Sequence, residues 1–572
     1  MESILGALAA GDLVDASVER QFVDLKEEDG RRDRQGNVGP SLPHNEEAAR
    51  ALAADAACMA NTPGGGALIV GVTDTGLLVG TELDTEWLRH RMWELSGKAL
   101  TSDVVAREVA GVRVLVIRSP QAFEPIRVNG RIRWRVGTNC VEVDPHTWHA
   151  RRMDTLNYDW SAQESALTAS DVRPAAMALA RDFLRESGEP HAAELASDND
   201  TNLLRRLNVV TRDGRLTNAG ALAFVGRADP GLDYIRRAHA GGDSLSRIQK
   251  SGRSLLEELG DVFQAVDANT PTVHLPRGLV IAQHREIPRR AAREAIVNGV
   301  AHREWGIADP TVVEHVGRLL RVTSPGGFVG GVTADNIITH PSRSRNRALA
   351  ELLAALRIAE REGVGVDRMI TDMVGVGHPR PEFEEIPGPY VRASLIGDDL
   401  DVPWIAWLRG FEPPDEPEDL NSLLILRRLL EEGWADALRV ALLIQENVGA
   451  AQGALAKLAR ARMNDQLVIE TIQGTPEGAE PVWCLHPAAA NQLAALDEDF
   501  GRSRRPTRIS VARSFARARG RISSTELAAL TGGRPQNMGP TLKGLEDEGV
   551  LAPAWPSRRG KGFYYRYTGD PS

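Results

Sequence analysis

Three cysteines in 572 residues, Cys58, Cys140 and Cys484, make no Cys-x-x-Cys pair and stand at no metal-ligand spacing from a histidine. Their scarcity and separation argue against a zinc site or a disulfide framework, and predict free thiols in a reducing, cytoplasmic setting. No apolar run approaches the roughly 18 residues that a membrane helix needs, so no membrane partner is expected. The N-terminus, MESILGALAAGDLVDASVERQ, is acidic and lacks the basic stretch of a signal peptide. No GxxxxGK[ST] string is present, which excludes a P-loop, and no helicase motif is visible. There is no fixed-period repeat and no long low-complexity tract.

The composition is that of an ordinary globular protein, 42% hydrophobic and 26% charged. The length is too great for one core and predicts about three or four domains. The net charge of −10 conceals an asymmetry. Residues 501–572 carry 14 Lys and Arg against 5 Asp and Glu, a net +9, which leaves −19 on the remainder. A small basic module on an acidic body points to a polyanionic partner for that module.

Hydrophobic patterning divides the chain further. SVERQFVDLKEE alternates like a strand, with Phe22, Asp24 and Lys26 on one face and Val23 and Leu25 on the other. A loop rich in charge, Gly and Pro follows, then a helix, EEAARALAADAACMANT, a GGG turn and the buried strand ALIVGVT. Residues 160–280 read as mostly helical, and 281–400 return to α/β. EPPDEPED, at 412–419, is a Pro/acid linker. The expected division is 1–155, 156–280, 281–411, 420–500 and 501–572.

One helical stretch carries chemistry. REAIVNGVAHREWG places Glu294, Asn298 and His302 at i, i+4 and i+8, so the three form one slanted stripe. Apolar neighbours surround the stripe. A buried carboxylate, amide and imidazole are costly unless paired, and a metal with a phosphate would pair them. The alternative is that the stripe pairs with Arg345 and Asn346 and binds nothing.

Two stretches resemble known families. The first runs Glu19-x4-Asp24-Leu-Lys26, Ala60-Asn61-Thr62-Pro-Gly64-Gly65, GVTDTG with Asp74, then Gly80. It resembles the Schlafen-core, or Alba-like, domain over about 130 residues. That resemblance implies nucleic-acid binding, with Lys26 among the contacts. It also implies acids, here Glu19, Asp24 and Asp74, that hold Mg²⁺ or Mn²⁺ and cleave RNA by metal-assisted hydrolysis. The second acid is Asp24 where the family usually carries Glu, and Thr73 replaces one of the acids after GV.

The second stretch carries REAIVNGVAHREWG, VTSPGGFVGGVT, SRSRNRALAELL and AEREGVGVDRMITDM in that order. It resembles the GHKL-type ATPase domain fused behind Schlafen-core domains in bacterial transcriptional regulators. The resemblance implies Glu294 as general base, Asn298 as ligand of the Mg²⁺ that accompanies ATP, and His302 near the phosphates. It implies Gly363 and Gly365 as the glycine turn over the phosphates, where backbone N–H groups and a helix dipole favour anions. Ser324, Gly326 and Gly327, in SPGGF, occupy the DxGxG turn and lack its adenine-reading acid.

The basic C-terminus reads as a winged helix-turn-helix. Its helices are ISVARSFARARG, SSTELAALTGG with Ser523 or Ser524 as N-cap, and RPQNMGPTLKGLEDEGVL as recognition helix. Ala528, Leu530, Met538, Leu542 and Leu545 supply its core. Arg534, Gln536, Asn537 and Lys543 would face a groove, with Arg558, Arg559 and Lys561 at the wing. Residues 420–495 hold the pattern of another winged helix, acid-rich and suited to a spacer or dimer contact.

The sequence therefore predicts an α/β multidomain protein: Schlafen-core domain, helical connector, GHKL-like α/β sandwich and C-terminal winged helices. The expected function is a nucleotide-responsive, DNA-binding transcriptional regulator, homo-oligomeric with a dimer favoured. The alternatives are a metal-dependent Schlafen-type endonuclease acting on RNA or single-stranded nucleic acid, as in phage defence, and an oligomeric scaffold without catalysis.

Overall fold

The computed structural model describes residues 5, 8, 22–31, 38–73, 76–136, 139–145, 148, 159–277, 280–359, 363–496, 506–555 and 562–569. Among them no helix is long and apolar enough to cross a membrane. The chain forms two compact units: Met1–Trp148 with Pro403–Ser572, and His149–Val402.

The N-terminal segment opens on β1 (Val23–Lys26). The expected alternation holds: Leu25 joins an apolar cluster with Ile69 and Val116, while Asp24 is buried among polar groups. Helix α1 (Glu46–Asn61) starts at Asn45, whose side chain accepts from the amides of Glu47 and Ala48. Glu46 and Glu47 add negative charge where the helix dipole favours it. Gly64 and Gly65, both at positive φ, turn the chain into β2 (Gly66–Val70). A Cβ on Gly65 would lie 2.4 Å from the Ser119 carbonyl, so only glycine fits there. With β3 (Asp103–Val109) and β4 (Val112–Ser119) the sheet order is β1-β2-β4-β3, the first pair parallel and the others antiparallel.

A smaller sheet of β5 (Arg127–Val128), β6 (Arg131–Val136) and β7 (Asn139–Glu142) follows. The Ala60-Asn61-Thr62 motif holds it to α1. The Asn61 amide donates to the carbonyls of Ile126 and Arg133 and accepts from the Ile126 amide. The Thr62 hydroxyl donates to the Cys58 carbonyl and accepts from the Arg135 amide. Cys58 on α1 and Cys140 on β7 form a disulfide, with Cα atoms 6.2 Å apart across a sequence separation of 82. This corrects the expectation of three free thiols: the fold brings together cysteines that no spacing rule could relate. Cys484 is free and buried, and its burial pushes the thiol up to about 12.

The second unit is built on a six-stranded sheet. Its strands are β8 (Leu232–Arg237), β9 (Ser244–Ile248), β10 (Thr311–Val316), β11 (Leu319–Pro325), β12 (Glu382–Ile386) and β13 (Tyr390–Ile396). The order is β9-β8-β10-β11-β13-β12, with β8 and β10 parallel and every other pair antiparallel. Helices α2 (Leu255–Asn269), α3 (Arg289–Ala301), α4 (Arg347–Ala355) and α5 (Gly365–Gly375) share one buried core with Val313, Leu320, Val322 and Leu395 of the sheet. Ala176, Leu203 and Leu259 lie in that same core. The expected break at 280 is therefore not a domain boundary. Residues 156–280 read as a connector because their helices are short, yet they supply two of the six strands.

The C-terminal segment repeats one arrangement. Helix α6 (Leu420–Glu432), β14 (Ala435–Asp436), α7 (Ala437–Ile444), α8 (Val448–Leu458), β15 (Ile469–Thr471) and β16 (Val482–Leu485) come first. Helix α9 (Arg508–Arg519), β17 (Arg521–Ile522), α10 (Ser524–Thr531), α11 (Gly539–Asp547), β18 (Leu551–Pro553) and β19 (Tyr565–Tyr567) follow. In both, the third strand lies between the first and second. Trp434 joins the two, edge-on to Phe515 at 4.9 Å and donating from Nε1 to the Ser514 hydroxyl. Residues 403–411, expected in the ATP-binding domain, pack here instead: Trp407 Nε1 donates to the Ala489 carbonyl.

Removing the disulfide by Cys58→Ser should lower stability by about 2–4 kcal/mol, since the crosslink restrains the unfolded chain. Urea unfolding checks this: reductant should bring the unsubstituted protein to the variant's midpoint, and an unmoved midpoint would refute the crosslink.

Candidate functional site

Helix α3 places the polar stripe. It lies unusually close to the sheet at Gly299, where a Cβ would come within 2.7 Å of Val322 Cγ1. The Gly299 carbonyl accepts from the hydroxyls of Ser324, at 2.5 Å, and Thr311, at 3.1 Å. Arg290 of α3 forms a two-pronged ion pair with Asp372 of α5, which sets those helices against each other.

The three stripe residues meet different fates. Glu294 is buried, 3.8 Å from Arg293, and its Oε1 accepts no hydrogen bond among the described residues. Burial pushes its carboxyl above the usual range, against the pull of Arg293, Arg368 and Arg290. The half-buried Asn298 lines a cavity, and its side-chain amide makes no hydrogen bond among the described residues. His302 is not on the helix, as the i+8 spacing implied, but one residue past its end at φ −99°, ψ 0°. Burial, aided by the nearby Arg345 charge, lowers its imidazole to about 4, so it is neutral at pH 7.

The cavity lies between α3 and the sheet. Its volume is about 920 Å³ with its solvent-facing mouth included, within the span of roughly 300–1,000 Å³ common for small-molecule sites. Ala295, Asn298 and His302 form one wall, with Ser324, Gly326, Gly327 and Phe328 at the SPGGF turn. His340, Ser342 and Arg343 form another, and Gly363 closes the side towards α5. Among the described residues no carboxylate lines it. Ser324 stands where the adenine-reading acid was expected, and its hydroxyl is engaged with Gly299. Gly326 sits at φ +99°, with the buried Arg345 beneath it. Arg345 donates to the carbonyls of His302 and Gly327, and the Asn346 amide donates to those of Ala301 and Arg303. Arg345 and Asn346 therefore secure the end of α3 through its backbone and leave the Asn298 amide untouched.

Gly365 opens α5 directly over the stripe. A Cβ there would lie 2.4 Å from Glu294 Oε2 and 3.7 Å from the Asn298 amide nitrogen. Glu294 thus lies against the glycine turn and is not among the cavity-lining residues, whereas Asn298, His302, Gly326, Gly327 and Gly363 are. Glu294 Oε1, without a hydrogen bond, and the uncommitted Asn298 amide are groups that fit a magnesium nucleotide.

In the N-terminal segment, Glu19 and Asp74 lie outside the described residues. Asp24 accepts from Arg135 at 2.7 Å and is 3.2 Å from Lys26, which also meets Asp55 at 3.4 Å. Burial raises the Asp24 carboxyl, but Arg135 and Lys26 outweigh it and hold the group below its usual value. Asp24 and Lys26, expected as metal ligand and nucleic-acid contact, are thus committed to each other and to Arg135 and Asp55. Among the described residues no group of three or more His, Cys, Asp or Glu is placed to hold a metal ion. Sequence reasoning missed Arg135 because it lies 111 residues from Asp24.

At the C-terminus, Arg558, Arg559 and Lys561 lie outside the described residues. Ser523 caps α10 in a reciprocal pair with Glu526, and Ala528, Met538, Leu542 and Leu545 are buried as expected. The expected recognition helix is broken. Pro535–Asn537 form a 3₁₀ turn and α11 starts only at Gly539, since each proline disfavours helix at the residue before it. Arg534, Gln536 and Asn537 therefore stand exposed ahead of α11. Lys543 is exposed on it but paired with Asp547 at 2.7 Å.

Two substitutions test this geometry. Gly326→Ala should destabilise the second unit by about 1–3 kcal/mol, because φ +99° suits only glycine; an unchanged unfolding midpoint would contradict the turn. Glu294→Gln tests the burial of the carboxylate. Folded Glu294 keeps its proton to higher pH than the unfolded chain, so stability falls as pH rises from 4.5 through the raised value. Relative to the unsubstituted protein, the glutamine variant should gain stability between pH 4 and pH 8, whereas a pH-independent difference would place the carboxylate in water.

Comparison with known proteins agrees with both domains. Residues 19–144 match the family model described as Schlafen, AlbA_2. Residues 317–394 match one described as putative ATP-dependent DNA helicase recG C-terminal, an ATPase-like domain. No curated protein matches the chain. Among solved structures, the DIP2311 protein from Corynebacterium diphtheriae is 36% identical, covering 86% of this chain and 97% of its own, with a TM-score of 0.53. The chain belongs to the same family as that protein, and it joins a Schlafen AlbA_2 domain to an ATPase-like domain.

Proposed function

We propose that this protein is a nucleotide-responsive, nucleic-acid-binding regulator: the ATPase-like domain takes ATP with Mg²⁺, and the C-terminal modules hold duplex DNA. The observation that carries the nucleotide half is the Asn298 amide, which makes no hydrogen bond among the described residues and lines a cavity that the SPGGF and GVG turns also line. Magnesium arriving with the nucleotide would neutralise phosphate charge there, and Asn298 is the residue that would hold it. His302, neutral at pH 7, acts as a hydrogen-bonding wall rather than a cation. Glu294, protonated more readily than an ordinary glutamate and lying against Gly365 rather than at the cavity surface, fits sensing better than rapid turnover.

The DNA half rests on an arrangement found twice, a helix, a strand and two helices followed by two further strands of the same three-stranded sheet, which supports a winged-helix reading. The second copy lies in the segment of net charge +9 and exposes Arg534, Gln536 and Asn537 ahead of α11. Cleavage of RNA or single-stranded nucleic acid would need carboxylates available to a metal. The pairing of Asp24 with Arg135 and Lys26 favours binding over cutting for the N-terminal domain.

Two measurements test the proposal. At a free concentration about a hundredfold above Kd, ATP with Mg²⁺ should raise the thermal midpoint by about 5 °C or more, and Asn298→Ala should remove most of that rise. A midpoint indifferent to ATP would end the nucleotide reading. Deleting residues 501–572 should abolish duplex binding at about 0.15 M salt, where weak non-specific attraction is largely screened. Retention of binding would move the DNA site elsewhere.

A further inference from the structure

The cavity's walls assign its two ends. Strand pairing sets Val391 beside Ser324, and Ala393 beside Val322 and Phe383, so with Phe328 these apolar lining residues lie along the SPGGF turn, where a flat base would pack. The other end is fixed by two close approaches of the glycine turn. Gly365 lies against Glu294 and Asn298, and Gly363 lies against Ser342, whose Cβ would be 2.9 Å from a Cβ built there. The groups suited to phosphate therefore converge between Asn298 and the Ser342-Arg343 step.

A triphosphate carries several negative charges, and a cationic side chain beside magnesium would hold it more strongly than backbone N–H groups alone. The nearby arginines differ in what holds them. Arg345 is buried and donates to two carbonyls, Arg347 pairs with Glu351, and Arg290 pairs with Asp372. His302 is neutral. Arg343 is different: it lines the cavity, is exposed, and its guanidinium makes no ion pair or hydrogen bond among the described residues. Its aliphatic stem packs over Gly330, where a built Cβ would lie 2.8 Å from Arg343 Cγ. Gly330 and Gly331, at φ +63° and +88°, make a turn against which Arg343 and His340 lie.

Resting on the nucleotide reading above, we infer that Arg343 is the residue that reads the phosphate chain, and that the cavity selects a nucleoside triphosphate by its phosphates rather than by its base. With no carboxylate among the described residues that line the cavity, adenine and guanine nucleotides meet similar walls. The Arg343 guanidinium supplies the discrimination between triphosphate and nucleoside.

Calorimetric titration of the full-length protein with ATP, GTP and adenosine, each with Mg²⁺, tests this. The unsubstituted protein should bind ATP and GTP within a few-fold of each other and both well above adenosine. Arg343→Ala should weaken ATP binding about tenfold or more, the loss expected from one charge-assisted contact, and leave adenosine nearly unchanged. Arg343→Lys should recover part of the loss. Unfolding curves establish that the variants fold, which the exposed position favours. Equal weakening of ATP and adenosine, or no weakening of ATP, would overturn the assignment of Arg343 while the nucleotide site stands. A strong preference for one base would overturn the phosphate-selection half. Failure of the folded, unsubstituted protein to bind ATP would remove the nucleotide reading and this inference with it.

Discussion

The close seating of α3 on the sheet at Gly299 is the constraint from which the second unit's site follows. Without a Cβ at that position the helix approaches Val322 and Thr311, and its carbonyl in that last turn accepts two buried hydroxyls. Such a carbonyl has lone pairs enough for both, and each bond removes a buried polar group that would otherwise be costly. The seating fixes the neighbours of Gly299 in the sequence. Asn298 is held at the edge of the cavity, and His302 ends the helix with its carbonyl in the grasp of Arg345. Ser324, the residue that stands where an adenine-reading acid would be, takes part in the same seating. An ionised aspartate there could not donate to Gly299, so Ser324 serves the packing of α3 on the sheet.

In the N-terminal domain a different economy governs. Asp24, Arg135, Lys26 and Asp55 form a chain of alternating charge in and beside the buried layer. Taking such charges out of water is expensive, and breaking the chain at one member would leave an uncompensated neighbour. The Ala60-Asn61-Thr62 motif belongs to this arrangement, because Thr62 accepts from the Arg135 amide and so aligns β6 for the Arg135–Asp24 contact. A motif of the Schlafen-core resemblance thus acts as a brace between α1 and the β5–β7 sheet, a brace the Cys58–Cys140 disulfide reinforces.

The C-terminal repeat shows why one module can be basic and the other acidic without loss of the shared arrangement. Trp434 fills the space between them, with Phe515 edge-on and Asp436 3.3 Å from Arg519. Core and strand order are set by apolar positions. The charge differences fall on exposed positions, which are free to specialise.

Where a signal was local, the sequence determined the outcome. The alternation of Val23–Lys26, the helix α1, the N-cap at Ser523, and the apolar positions around Met538 and Leu542 all depend on neighbours within a few residues, and all were legible. So were the order of the ATPase-like motifs and the cavity-lining roles of Asn298, Gly326, Gly327 and Gly363. Only the tertiary structure decided that Cys58 meets Cys140, that Asp24 is met by Arg135, that residues 156–280 share a sheet with those beyond, and that Glu294 lies behind Gly365 while Arg343 faces the cavity. These outcomes join residues far apart in the chain. They follow from which surfaces the core brings together, and no periodicity or spacing within one segment encodes that.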